Sequence, residues 1–216
     1  MKKLFAFTLA ETLVVMGIIG VVAALTLPNL NQSTGNKEKV VKLQKIRQNL
    51  DDAIGRAVVI YGPLSSWCSG LTDANCQKRH FERITEFMKF SKQCTVSTCL
   101  GKFDTGSSAG VSLQYGVILA DGTTIGFRLR HPNNAFDEIL VDLDGLNKGA
   151  NKHGVDFFKF LYDSSGVMAP YSDLHADNTS PDTHTHRATD WVIRHGNMDY
   201  LKCASQLKFG GPTTCK

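Results

Sequence analysis

Asp142, Asp144, Asn147 and Asp156 place four oxygen-bearing side chains within one short stretch of the sequence. Oxygen ligands at alternate positions suit a hard cation such as calcium. The spacing is not that of an EF-hand, because Leu146 stands where the third ligand belongs. Aspartate, asparagine and glycine also favour turns, so a turn-rich hairpin is the alternative. The sequence leaves both a calcium site and a purely structural turn open.

All six cysteines lie at or after position 68, and their even number is typical of disulfides in an oxidising compartment. Their spacing favours three local pairs, although crossed pairings among the first four remain open. A zinc site is the functional alternative, and the absence of a C-x-x-C pair disfavours it. The favoured pairs are Cys68–Cys76, Cys94–Cys99 and Cys203–Cys215.

The sequence contains no motif of a known catalytic class. Neither a G-x-S-x-G elbow, an H-E-x-x-H pair, a phosphate-binding P-loop nor a dinucleotide-binding glycine motif occurs. The chain of 216 residues has 24 basic and 20 acidic residues, and removal of Lys2 and Lys3 would leave 22 against 20. We therefore predict that the protein is not an enzyme and takes no cofactor, with calcium at the acidic loop left open. Net charge gives no support to nucleic-acid binding but does not exclude it.

The most unusual segment spans residues 7–27, where Glu11 is the one charged residue. A helix of this length covers roughly the ~30 Å hydrocarbon core of a bilayer, and the basic residues Lys2 and Lys3 are expected to stay cytoplasmic. A carboxylate inside lipid costs about 2.5–3.5 kcal/mol on insertion scales, so it needs a partner. The segment has no lysine or arginine. The partner must come from the start of the chain or from another molecule.

A secretory signal peptide is the ordinary alternative for such a segment. The apolar run is longer than the usual ~7–15 residues, and Glu11 stands near its start, where a signal peptide carries no acid. The run continues into a helical pattern and does not end at a clear cleavage site. These features favour a retained helix.

The sequence KKLFA at 2–6, followed by FTLAE at 7–11, resembles the class III leader and cleavage site of type IV pilins and type II secretion pseudopilins. The resemblance implies that a prepilin peptidase cuts between Ala6 and Phe7 and methylates Phe7. Ala6 stands where the family usually has glycine. Glu11 would then pair with the terminal amine of a neighbouring subunit. The family also commonly has a helix-breaking glycine and proline at the positions of Gly20 and Pro28. Both residues weaken a helix, so the stretch between them can melt when the subunit leaves the bilayer; the alternative is that the glycine only lets helices pack closely in the membrane.

This resemblance implies a pilin-like α+β fold, in which a long N-terminal helix packs on an antiparallel meander with disulfide-stapled loops. We expect a leader at 1–6, a transmembrane and assembly helix at 7–62, and a periplasmic globular domain at 63–216. The stretch 141–158 resembles a loop of some pilin-like proteins, and some pseudopilins bind calcium.

The implied function is that of a minor pilin or pseudopilin in a type IV pilus or type II secretion system. Its partners would be other pilin or pseudopilin subunits, the prepilin peptidase, the inner-membrane assembly platform and the lipid bilayer. The protein would cross the inner membrane once before it enters the filament. The alternative is a membrane-anchored periplasmic binding or catalytic domain that uses the helix only as an anchor.

The remaining pattern supplies the elements that position these residues. Apolar residues recur at spacings of three and four over 40–61, which predicts an amphipathic helix ending near Gly62 and Pro63. Strands are predicted at 111–120, 123–130 and 138–143, with a hairpin turn at Asp121–Gly122. Residues 155–162 form a fourth strand or a short helix, and 191–193 is a last apolar run. A helix followed by an antiparallel meander is an α+β layout.

Overall fold

Two compact units make up the chain, Met1–Glu38 and Lys39–Lys216. The computed structural model describes residues 9–95, 115–128, 136–145, 148–163, 168–170 and 185–216. Helix α1, Leu9–Tyr61, begins in the first unit and ends in the second.

The first unit contains the apolar part of α1. Gly17, Gly20 and Pro28 all lie inside this helix. A Cβ added at Gly17 or Gly20 would meet no atom within 4 Å, so neither glycine is required there by a close contact. The helix also continues through Pro28, although a proline removes one backbone hydrogen bond. The melting expected between Gly20 and Pro28 concerns another state of the protein and stays a prediction.

The second part of α1 carries the apolar stripe that the spacing predicts. Seven of its residues are buried, and the same buried cluster contains residues of the sheet and of the later helices. Val58 and Tyr61 are partly buried against this cluster. One face of α1 is therefore buried as part of the hydrophobic core. The buried residues are Val40, Leu43, Ile46, Leu50, Ala53, Ile54 and Ala57.

The end of α1 is set by a glycine and a proline. Gly62 has a φ of 79° and donates its N–H to the carbonyl of Val58 at 2.9 Å, which is the left-handed conformation that commonly closes a helix. Pro63 follows, and a short 3₁₀ turn occupies Leu64–Ser66. The indole of Trp67 then donates to the carbonyl of Gly62 at 2.8 Å. This contact folds the chain back toward helix α2, Asp73–Thr85.

Six antiparallel strands form one sheet, in which the spatial order follows the sequence order. Asp121 accepts the N–H of Thr123 at 3.0 Å in the turn between the second and third strands, where Gly122 has a φ of 87°. The predicted hairpin and meander are confirmed. The strands are β1 Lys92–Thr95, β2 Tyr115–Ile118, β3 Thr124–Arg128, β4 Phe136–Asp142, β5 Phe157–Asp163 and β6 Met168–Pro170.

The strand register places apolar residues on one face of the sheet. Ile125 lies opposite Val141, and Val141 lies opposite Phe158. All three are buried in the same cluster as the stripe of α1. Successive side chains of a strand point to opposite faces, so this alternation fixes which face meets the core.

Two helices near the C-terminus complete the second unit. Helix α3, Thr185–His195, packs against β5 and β6, and the hydroxyl of Thr189 accepts the N–H of Lys159 at 3.1 Å. Helix α4 is the single turn Tyr200–Cys203. The buried hydroxyl of Tyr200 donates to the carbonyl of Gly154 at 2.6 Å, which ties the C-terminal region to the loop before β5.

Disulfides close two loops of this unit as predicted. Cys68 pairs with Cys76, and Cys203 pairs with Cys215. The first of these pairs overturns the crossed alternatives that involve Cys68 or Cys76. Cys94 is also disulfide-bonded, and its expected partner Cys99 lies outside the described residues.

The sequence pattern missed several elements. Neither α2, β1, β6 nor α3 was expected, and the apolar run at 191–193 belongs to α3. The uncertain segment 155–162 is a strand, since β5 covers Phe157–Asp163. The predicted strand at 111–120 is observed over Tyr115–Ile118, and residues 111–114 lie outside the described residues.

Substitution of the α1 stripe tests its role in the core. Leu50 is fully buried, so Leu50→Ala is expected to lower the free energy of unfolding by about 2–5 kcal/mol through lost burial and a cavity. Val59→Ala is the matched control, because Val59 lies on the same helix and is 82% exposed; it should change stability by less than about 0.5 kcal/mol. Guanidinium denaturation in mild detergent, followed by tryptophan fluorescence, measures both. Equal losses in the two variants would contradict the assignment of the stripe.

Candidate functional sites

The first turns of α1 expose an apolar surface. The exposed fraction of the large apolar residues between Leu9 and Val22 ranges from 53% at Val15 to 80% at Leu9. They include the consecutive residues 13–16 and therefore point around the whole helix axis. Such a surface is much larger than the scattered apolar residues of an ordinary protein exterior.

Glu11 is the one acid in the first turn of α1. The neighbouring hydroxyl of Thr12 donates to the carbonyl of Leu9 at 2.9 Å. The expected processing residues Ala6 and Phe7 lie outside the described residues, so cleavage between them stays a prediction.

No helix within the residues that the structure describes is both long enough and apolar enough to cross a membrane.

The loop between β4 and β5 holds the acids that suggested a calcium site. Asp142 is buried at the end of β4, and its Oδ1 accepts the N–H groups of Asp144 at 3.2 Å and Gly145 at 3.1 Å. Its Oδ2 is buried and accepts no hydrogen bond from the part of the chain that the structure describes. Burial raises the pKa of Asp142 to about 6; the two N–H groups act against this rise, while the charges of Asp156 and Asp144 add to it.

Asp156 is fully buried and holds the backbone of the same loop. Its Oδ2 accepts the N–H groups of Ala150 at 2.5 Å and Asn151 at 2.8 Å, and its Oδ1 accepts the N–H of Lys152 at 2.7 Å. Asn151 has a φ of 48°, a conformation that asparagine tolerates better than most residues. Asp156 is therefore the acceptor around which this turn folds.

Two lysines of α1 reach the loops at this end of the sheet. The Nζ of Lys39 lies 3.5 Å from Oδ2 of Asp144 and donates to the carbonyl of Val155 at 3.2 Å. The Nζ of Lys42 donates to the carbonyl of Leu143 at 2.6 Å and lies 3.3 Å from Oδ2 of Asp121. An ammonium group thus already provides positive charge beside the acidic loop.

The described acids have little capacity left for a cation. Both oxygens of Asp156 accept backbone N–H groups, and Oδ2 of Asp144 faces Lys39, so a cation would have to share these oxygens with the donors already there. Calcium takes about 6–8 oxygen ligands. The acids of this loop are not among the groups of metal-ligating side chains that converge within the described residues. Asn147 lies outside them, and the calcium site stays a prediction.

No family model, curated protein or solved structure matches the chain. The likeness of residues 2–11 to a prepilin leader therefore stays a resemblance.

Sequence reasoning identified the acids of the loop but missed the lysines that contact it. Lys39 and Lys42 lie three residues apart and so share one side of α1. Lys42 does not belong to the apolar stripe, so the helical period by itself does not predict its contact with the loop. The signal that could have identified them is a pair of lysines three residues apart at the edge of the apolar stripe.

The roles of the two loop acids can be separated by substitution in metal-free buffer. Asp156→Ala leaves three backbone N–H groups without their acceptor, and we expect a loss of stability on the order of 3 kcal/mol. Asp144→Ala is the matched control, because it removes a partly exposed ion pair that is worth at most about 1 kcal/mol. Urea denaturation with a chelator present measures both. A loss in Asp144→Ala as large as that in Asp156→Ala would contradict these roles.

The raised pKa of Asp142 predicts a pH dependence of stability. Between the ordinary pKa of 3.8 and about 6, the folded protein retains a proton that the unfolded chain has lost. Stability is therefore expected to fall as the pH rises through this window. Asp142→Asn cannot ionise, so its free energy of unfolding should increase relative to the wild type over the same window and level off above it. Urea denaturation at a series of pH values measures the difference, and a pH-independent difference would refute the assignment.

Proposed function

We propose that the protein is a filament subunit, a minor pilin or pseudopilin of a type IV pilus or type II secretion system. In this proposal a prepilin peptidase removes residues 1–6, and the N-terminal helix then polymerises with the helices of neighbouring subunits. The observation that carries the proposal is the apolar surface that surrounds α1 between Leu9 and Val22. Surface of this kind is stable in water only when lipid or other protein covers it.

The second part of α1 supports the same proposal by contrast. Its stripe from Val40 to Ala57 is covered by the chain's own core. One helix therefore has a part that the fold itself covers and a part that requires an external partner. A lipid bilayer before assembly and the helices of other subunits afterwards would each cover the exposed part. The inner-membrane assembly platform would move the subunit from one to the other.

Glu11 supplies the specificity in this mechanism. A carboxylate in an apolar environment requires a positive partner, and the resemblance of residues 2–11 to prepilin leaders implies that the partner is the terminal amine of Phe7 on an adjacent subunit. Removal of the leader creates that amine. Attraction between the two charges is much stronger in a low-dielectric filament core than in water. The pair would therefore fix the axial position of each new subunit.

The layout of the second unit agrees with a pilin-like arrangement. The stripe of α1 belongs to the same core as an antiparallel meander, and disulfides close loops at both ends of the unit. In this proposal the second unit faces the periplasm and lies on the outside of the filament. Six cysteines and a large globular part favour a minor over a major subunit.

Removal of the Glu11 charge tests the assembly step. We expect the Glu11→Gln and Glu11→Ala proteins to be absent from sheared filament fractions. Both should remain in the membrane fraction, because loss of the charge makes insertion into the bilayer easier. Thr12→Ala, at the adjacent position, is the matched control and should assemble normally. Immunoblots of membrane and filament fractions measure the distribution, and mass spectrometry should find a methylated Phe7 as the first residue.

Normal filament incorporation of both Glu11 variants would refute the pairing mechanism. A mature protein that retains Met1 through Ala6 and has no assembly phenotype on deletion would instead support the alternative, a membrane-anchored periplasmic domain.

A further inference from the structure

One group of three metal-ligating side chains converges within the described residues, and the proposed function does not use it. The group consists of Cys68, Cys76 and His80, whose ligand atoms all lie within 4.8 Å of one another. Nε2 of His80 lies 3.2 Å from Sγ of Cys68. In the structure the two cysteines form a disulfide.

The secondary structure accounts for this convergence. Cys76 and His80 are four residues apart on α2, so both side chains lie on the same face of that helix. Cys68 follows the 3₁₀ turn after α1 and approaches the same face. A pair of ligands at this helical spacing, with a third from a preceding loop, is a common way to build a metal site.

The environment of His80 resembles that of a metal ligand. Its Nδ1 lies 3.3 Å from the hydroxyl oxygen of Tyr162. In the tautomer that carries its proton on Nδ1, this nitrogen donates to the hydroxyl, and the lone pair of Nε2 faces Cys68. Metal-ligating histidines generally hold their second nitrogen in this way. The ring is 5% exposed and lies 4.9 Å from the ring of Trp67. Burial, with a smaller effect of the Arg83 charge, lowers the pKa of His80 to about 4, so the imidazole is neutral at physiological pH.

We propose that the Cys68–Cys76 disulfide is the oxidised form of a Cys₂His site that binds Zn²⁺ when the two cysteines are reduced. A phosphine reductant supplies the two electrons: the S–S bond breaks, water provides two protons to the sulfurs and one oxygen to the phosphine, and a phosphine oxide leaves. Each thiol then loses its proton to solvent as it binds the metal. Two metal–sulfur bonds and one metal–Nε2 bond form, and a water molecule completes the tetrahedral coordination.

The proposal gives the buried His80 a chemical role, that of a metal ligand. Nε2 of His80 faces Sγ of Cys68, and in the reduced protein the same nitrogen would bind the metal beside the Cys68 thiolate. The spacing C-x₇-C-x₃-H contains no C-x-x-C pair, so the sequence alone disfavours zinc here. The fold brings together the ligands that the spacing keeps apart.

Cobalt provides a spectroscopic test of the site. The full chain in detergent micelles is reduced anaerobically with a phosphine and titrated with Co²⁺. We expect one equivalent to give a thiolate-to-cobalt charge-transfer band in the near ultraviolet, together with the visible bands of a tetrahedral site. Zn²⁺ should displace the cobalt and protect two thiols from a thiol-specific reagent. The oxidised protein should give no such bands.

Three variants separate this site from adventitious thiol binding. His80→Gln keeps both cysteines and should weaken cobalt binding by more than about 10-fold; Tyr162→Phe, which removes the support of His80, should weaken it by roughly 10–100-fold. The double variant Cys203→Ser and Cys215→Ser is the matched control, because it removes the other described disulfide and should bind cobalt as the wild type does. Near-ultraviolet circular dichroism of each oxidised variant checks its fold.

The proposal is overturned if reduced wild-type protein gives no charge-transfer band, or if it unfolds on reduction and metal does not restore the fold. It is also overturned if the band is lost in the Cys203 and Cys215 variant. If His80→Gln does not fold, unchanged cobalt affinity in Tyr162→Phe is sufficient to reject it.

Discussion

The apolar stripe of α1 is the constraint on which the rest of the second unit depends. A helix that presents Leu43, Leu50 and Ile54 on one side must cover them, and the inward faces of the antiparallel strands do so. The sheet in turn has alternating residues such as Ile125 and Val141 that need an apolar surface of matching length. Each element buries what the other cannot bury alone, and neither would be stable by itself.

The sequence was sufficient for elements whose period and stop signals are strong. The apolar period predicts the stripe of α1, and the Asp121–Gly122 pair predicts the hairpin. Spacing favours the two local disulfides but leaves crossed pairings of Cys68 and Cys76 open, and the structure decides between them. The sequence was insufficient for α2 and α3. Asp73–Thr85 is mostly polar, so its helical period is carried by few apolar residues such as Phe81 and Ile84. The run at 191–193 is short and consists of one aromatic and two β-branched residues, which favour strands, and tertiary packing against β5 and β6 decides its conformation.

The candidate sites also differ in how far the sequence alone could predict them. Glu11 is conspicuous in sequence, because an acid in an apolar segment has few explanations. The acidic loop was identified correctly as a loop, yet its chemistry depends on Lys39, which is distant in sequence, and on how the loop folds its own backbone N–H groups around Asp156. The convergence of Cys68, Cys76 and His80 likewise depends on how the turn after α1 meets α2. The spacing of residues shows which side chains of suitable chemistry lie close in the sequence. Contacts between helices, strands and loops then determine which of these side chains meet and which already have other partners.

Lys39 and Lys42 also have a mechanical consequence. Their ammonium groups attach α1 to the carbonyls of Val155 and Leu143 and to the carboxylates of Asp144 and Asp121, all in the loops at one end of the sheet. A tensile load along α1 would act on these polar contacts together with the apolar stripe. The load would enter the sheet through the loops at one end of its strands, at several contacts at once.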